Sequence, residues 1–74
     1  MSFRIVQVEF DSVGLEAGRL IVSDGISDVA EARSQAEQLA NEFREQGYKG
    51  ERGYWWVKNE EGKIFHLIVE GEPL

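Results

Sequence analysis

The segment 52–70 constrains the fold most, because it holds two strand-forming runs joined by a turn motif. Residues 52–58 and 63–70 are rich in aromatic and β-branched side chains. Between them, Asn59 suits the first position of a type I turn, and Gly62 suits the positive φ of the following bulge. The sequence therefore predicts a β-hairpin with a three-residue loop.

The register of this hairpin decides which side chains share a face, because side chains alternate between two faces along a strand. The three-residue loop places Trp56 opposite His66. One predicted face is wholly apolar and consists of Trp55, Val57, Phe65, Leu67 and Val69. The other is mixed and consists of Arg52, Tyr54, Trp56, Lys58, Ile64, His66, Ile68 and Glu70. The two adjacent tryptophans are thus expected to point in opposite directions.

One amphipathic helix is predicted between Asp28 and Gly47. Asp28 suits the N-cap position with Glu31 three residues later, and Ser27 is an alternative cap. Apolar residues then recur at spacings of three and four, namely Val29, Ala32, Ala36, Leu39, Ala40 and Phe43. Gly47 suits the left-handed position that follows a last helical turn.

Two further strands are predicted before the helix. Residues 3–10 alternate, with Val6, Val8 and Phe10 on one face, and residues 19–23 form a shorter strand that ends at Asp24-Gly25. Together the elements predict a single small α+β domain over residues 1–74. Its expected order is ββαββ, a four-stranded, mainly antiparallel sheet with one helix packed on one face.

The helix-free face of this sheet is the candidate binding surface, because one helix covers only one side. Its predicted site residues are Arg52, Tyr54, Trp56, Lys58, Ile64, His66 and Ile68. Phe3, Ile5 and Ile21 are expected to join them from the first hairpin. Monomers seldom expose large contiguous apolar patches, so the face predicts a homodimer or another protein partner. The alternative is that the aromatics only stabilise the hairpin through cross-strand pairs.

Composition argues against several other function classes. The chain has 14 acidic and 8 basic residues, and its net charge of −6 opposes long-range attraction to nucleic acid or anionic membranes. It has no cysteine, which removes disulfides and thiolate metal sites. It also has no apolar run near the ~20 residues of a membrane span and no secretory signal pattern. We therefore expect a cytoplasmic protein without membrane partners.

No catalytic motif is evident. His66 is the only histidine, and the serines are predicted on other elements without a nucleophile motif. The glycine spacings fit neither a dinucleotide nor a phosphate-binding loop. We expect no enzymatic activity, cofactor or metal.

The segment Arg52-Gly53-Tyr54-Trp55-Trp56-Val57 resembles the RNP1 strand of RNA-recognition motifs. In that family, aromatics at the positions of Tyr54 and Trp56 stack on bases from the open sheet face. The resemblance implies single-stranded nucleic-acid binding, aided by Arg52 and Lys58, and this is the second hypothesis. The chain departs from the family because Trp55 replaces Gly or Ala and only one helix is predicted.

Overall fold

The computed structural model describes residues 1–72 and contains one helix and five strands. The elements are β1 (Phe3–Phe10), β2 (Glu16–Ile26), α1 (Val29–Ala40), β3 (Glu45–Lys49), β4 (Tyr54–Lys58) and β5 (Ile64–Gly71). The strands form a single antiparallel sheet in the order β2-β1-β5-β4-β3. The α+β class is therefore confirmed. The predicted four strands and ββαββ order are wrong, since the order is ββαβββ.

The additional strand is β3, which occupies the segment where the helix was expected to end. Helix α1 stops at Ala40, and the backbone N–H of Asn41 donates to the carbonyl of Glu37. Gly47 is consequently a strand residue paired with Trp56, and it is not the helix C-cap. The sequence Glu-Gln-Gly-Tyr-Lys has little intrinsic β propensity, so pairing with β4 determines its conformation.

The β4–β5 hairpin has the register that the sequence predicted. Trp56 pairs with His66, and Asn59 is joined to Lys63 by a backbone hydrogen bond of 3.0 Å. The Asn59 side-chain oxygen accepts from the backbone N–H groups of Glu61 and Lys63. Gly62 has a φ of +85°, as its turn position requires.

The first hairpin is longer than predicted. Strand β2 runs through Asp24-Gly25 to Ile26, instead of ending at that dipeptide. Its pairing with β1 is interrupted by bulges, and one of them lies at Asp24-Gly25, where these two residues face the single residue Arg4. A bulge lets a strand continue past residues that usually end one.

The core lies between the helix and one face of the sheet. Asp28 caps the helix as predicted, accepting a hydrogen bond from the backbone N–H of Ala30. The buried residues of this core are Ile5, Ile26, Ala32, Ala36, Ala40, Val57 and Leu67. The helix contributes only alanines to this set. Phe43, predicted on the helical stripe, follows the helix and still packs against the core.

Strand β1 faces the opposite way from the one expected. Ile5 is fully buried in the core, and Phe3 packs against the core from the same side. The expectation that both residues join the helix-free face is therefore wrong. Alternation along β1 turns Val6, Val8 and Phe10 to that face instead. In the described residues 1–72, no helix is long and apolar enough to cross a membrane.

Candidate interaction surface

The helix-free side of the sheet, here called the open face, carries three rows of side chains that each cross all five strands. In the order β2-β1-β5-β4-β3, the first row is Ile21, Val6, Ile68, Tyr54 and Lys49. The middle row is Arg19, Val8, His66, Trp56 and Gly47. The third row is Glu16, Phe10, Ile64, Lys58 and Glu45. His66 is the central residue, and charged residues lie mainly at the edges.

Three rings form a ladder across the centre of the open face. The His66 imidazole stacks on Tyr54, with a centroid distance of 4.1 Å and an interplanar angle of 17°. On its other side Phe10 lies 4.3 Å away at a tilt. Desolvation by these neighbours lowers the pKa of His66 below its ordinary value of 6.5. The imidazole is therefore neutral at pH 7 and adds to the apolar surface.

Trp56 extends over the edge strand β3. A Cβ atom added to its partner Gly47 would lie 2.5 Å from the indole Nε1, well inside van der Waals contact. Gly47 therefore provides the space that the indole occupies. Trp55 lies on the other side of the sheet, where it packs against the core. Its ring centroid is 5.1 Å from that of Tyr48. The predicted opposite orientation of the two tryptophans is confirmed.

Apolar side chains on the open face differ in exposure. Val6 and Val8 are each only 2 % exposed, because larger side chains of the neighbouring strands flank them. Ile21 and Ile64 are 51 % and 43 % exposed, respectively. The valines of β1 are therefore covered by their neighbours, while Ile21 and Ile64 expose aliphatic groups toward two margins of the face.

Charges on the open face nearly cancel. Arg4 Nε donates a hydrogen bond of 2.7 Å to Glu70 Oε1, and Arg19 Nη2 lies 3.6 Å from the other oxygen of the same carboxylate. Lys58 Nζ lies 3.9 Å from a carboxylate oxygen of Glu45. Within the three rows, the cations are Arg19, Lys49 and Lys58, and the carboxylates are Glu16 and Glu45. Three minus two leaves +1, whereas the whole chain carries −6. The acidic excess therefore lies elsewhere on the molecule.

Six of the seven predicted site residues lie on the open face. The seventh, Arg52, precedes β4 and belongs to none of the three rows. It belongs to the β3–β4 turn, where the carbonyl of Lys49 accepts from the N–H groups of Arg52 and Gly53. Gly53 has a φ of +71°, so the chain turns there and β4 begins only at Tyr54. The strand prediction started two residues too early, and alternation does not assign a face to Arg52.

The sequence missed the β1 and β3 contributions to the open face. The alternation of Val6, Val8 and Phe10 was visible in the sequence, but local pattern does not say which side a helix covers. Glu45, Gly47 and Lys49 were missed because their segment was assigned to the helix end. Their charged–small–charged alternation is the signal that would have indicated an edge strand.

A cleft of about 740 Å³ adjoins the third row, between the β1–β2 and β4–β5 turns. Ser12 and His66 both line it, together with Asp11, Glu61 and Lys63. Among the described residues, no hydrogen bond joins the serine hydroxyl to the imidazole, whose two faces are occupied by rings. This arrangement lacks the activated nucleophile of a hydrolase.

A groove of about 540 Å³ lies on the helix side of the sheet. Trp55 and Tyr48 form an aromatic wall, and Arg33 and Glu37 of α1 lie on the opposite rim. These two charged groups are one helical turn apart on the same rim, so they do not converge on the groove from two sides. Across residues 1–72, no group of histidine and carboxylate side chains is arranged to hold a metal ion.

No family model matches the chain, and neither the curated proteins nor the solved structures include a significantly similar one.

Proposed function

We propose that this protein is a non-enzymatic interaction module that self-associates through its open face. The observation that carries the proposal is a continuous aromatic and aliphatic surface that no other part of residues 1–72 covers, bordered by the exposed Ile21 and Ile64. Sheets that pack face to face bury such surfaces at a separation of about 10 Å. A second copy of the chain supplies a matching surface without a further partner.

The size of the open face fits a reversible dimer. Five strands about 4.8 Å apart and three rows about 6.8 Å apart give a flat area on the order of 400 Å² once side-chain widths are added. That value lies at the scale of the largest patches on ordinary monomers. Two copies together cover about 800 Å² of flat area, and more of the corrugated accessible surface. The flat area is below the about 1,200 Å² at which stable interfaces begin and is typical of weak, transient ones, so we expect a weak, reversible dimer.

The charge distribution supports a second copy as the partner. Two chains of net charge −6 repel each other at long range. The three rows of the open face sum to +1, so approach through them avoids bringing the acidic excess of the two chains together. Its ion pairs around Glu70 and Glu45 also leave few cations free for a polyanion.

The test is a concentration series of sedimentation-velocity runs from micromolar to submillimolar protein. Ile64→Lys places a charge among the apolar groups of the open face and is expected to give a monomer. Leu20→Lys is the matched control, because Leu20 is also an exposed aliphatic strand residue, but its partner Gln7 lies on the helix side. A wild type that stays monomeric throughout would contradict the proposal, as would equal effects of both variants.

Single-stranded nucleic-acid binding is the second candidate function. It is favoured by one observation, namely that Tyr54 and Trp56 share the open face in the arrangement implied by the RNP1 resemblance. If it holds, oligonucleotides quench tryptophan fluorescence at low salt, and Lys58→Ala weakens the effect. Unchanged fluorescence at low salt would exclude it. Lys63→Ala is the control, because Lys63 is a cation of the turn beyond the three rows. We expect it to leave the quenching unchanged.

A further inference from the structure

We infer that two copies pack about a twofold axis that crosses the strands along the middle row, so that Glu45 of each copy meets the partner's Lys49. This inference rests on the proposed function, because it specifies the geometry of the same dimer. It is carried by the side chains of β3, which on the open face read Glu45, Gly47 and Lys49. Opposite charges thus lie symmetrically on the two sides of the middle row.

The symmetry of a face-to-face dimer makes this arrangement informative. An axis along the middle row exchanges the first and third rows of the two copies while it keeps each strand above its own equivalent. Lys49 in the first row then lies over the partner's Glu45 in the third row, and the reciprocal pair forms at the same time. Stacked sheets cross at about 30°, and the long lysine and glutamate side chains can span the resulting offset.

The other simple axis gives repulsion. An axis parallel to the strands exchanges β3 with β2, which places Glu45 over the partner's Glu16. Like charges at an interface are costly and disfavour that packing. The charge pattern therefore selects the axis that crosses the strands.

The remaining rows are compatible with this axis. Ile64 lies over the partner's Ile68, which joins aliphatic groups of the central strand β5. Lys58 lies over the partner's Tyr54, where an ammonium group meets an aromatic ring. Near the axis, His66 faces its own equivalent in neutral form. Arg19 also lies on the middle row, but at the sheet edge and beside Glu70, which reduces its repulsion from the partner's Arg19.

Charge reversal at β3 tests the geometry. Glu45→Lys makes both β3 positions positive, and Lys49→Glu makes both negative, so each variant alone opposes its own dimer. We expect each to weaken self-association by about tenfold or more at low salt. An equimolar mixture of the two is expected to form a heterodimer, because every Lys then faces a Glu of the other variant. The double variant E45K/K49E is expected to recover the wild-type affinity.

The mixture of the two variants distinguishes a contact between two copies from the loss of an ion pair within one chain. Glu45→Lys also removes the pair with Lys58, but mixing with Lys49→Glu does not restore that pair. The matched controls are Glu31→Lys and Arg33→Glu, which make the same charge changes on exposed positions of α1 and are expected to leave association unchanged. Native mass spectrometry of one isotope-labelled and one unlabelled variant counts heterodimers directly.

The outcomes distinguish this inference from the proposed function. If Ile64→Lys gives a monomer while both β3 variants associate like the wild type, the open face is an interface but the axis is wrong. If the β3 variants dissociate and their mixture stays monomeric, the Glu45–Lys49 contact is also refuted. If the wild type is monomeric, the proposed function itself fails.

Discussion

At the scale of single residues, Gly47 links the edge of the sheet to the shape of the open face. Its Cα leaves room for the Trp56 indole, which a methyl group would push away. The indole in turn covers a strand whose own side chains offer little apolar contact. Glycine usually weakens a strand through its conformational freedom. Here the contact between Gly47 and the cross-strand Trp56 indole compensates for that loss of stability.

Replacement of Gly47 by alanine tests this contact. The new methyl group would lie 2.5 Å from the indole nitrogen, so either the indole or β3 must move. We expect a loss of about 1–3 kcal/mol in the free energy of unfolding, as is typical of overpacked sites. Urea unfolding followed by circular dichroism measures it. Gly18→Ala is the control, since Gly18 is also a strand glycine but has nothing within 4 Å of an added Cβ; equal losses would contradict the steric reason.

At the scale of elements, local signals predicted structure where the determining contacts are themselves local. The β4–β5 hairpin followed from Asn59 and Gly62, and the helix start followed from Asp28. The β3 strand did not follow, because its five residues adopt an extended form only by pairing with β4. Likewise, alternation in β1 identified two faces, while only the tertiary structure showed that Ile5 is on the helix side.

The Asn59 turn gives a prediction at this scale. Its side-chain oxygen accepts hydrogen bonds of 3.0 and 2.9 Å from two backbone N–H groups. Asn59→Ala removes both acceptors, and we expect the free energy of unfolding to fall by about 1–2 kcal/mol. Glu60→Ala, in the same exposed loop, is expected to change it by less than about 0.5 kcal/mol. Chemical denaturation of both variants compares them, and a small effect at Asn59 would show that the backbone alone fixes the turn.

At the scale of the whole molecule, charge and apolar surface are divided between the two sides. The three rows of the open face sum to +1 although the chain carries −6, so the acidic excess lies outside these rows. Parity along β4 and β5 was sufficient to predict six residues of the open face. The balance of charge was not predictable, because it depends on Glu16, Arg19, Glu45 and Lys49 from β2 and β3, whose places in the sheet the sequence left open.

Because His66 is central to the open face, acidification is expected to weaken both folding and self-association. Its pKa in the folded chain is lowered from 6.5 by desolvation, so the unfolded chain binds the proton first as the pH falls. The stabilisation is complete above about pH 6.5 and decreases as the pH drops from there toward the lowered pKa. In the proposed dimer, a second copy adds to the desolvation and brings two imidazoles together, so protonation is expected to oppose association as well.

The measurement compares urea unfolding and sedimentation at pH 7.5 and pH 5.5. Histidine is the side chain whose ordinary pKa falls in this window, and the chain has only one. His66→Phe keeps a ring between Phe10 and Tyr54 without a titratable group. We expect the wild type to lose more stability and to dissociate more at pH 5.5 than this variant does. If both proteins respond equally to pH, the titrating group lies elsewhere, and His66 does not control the open face.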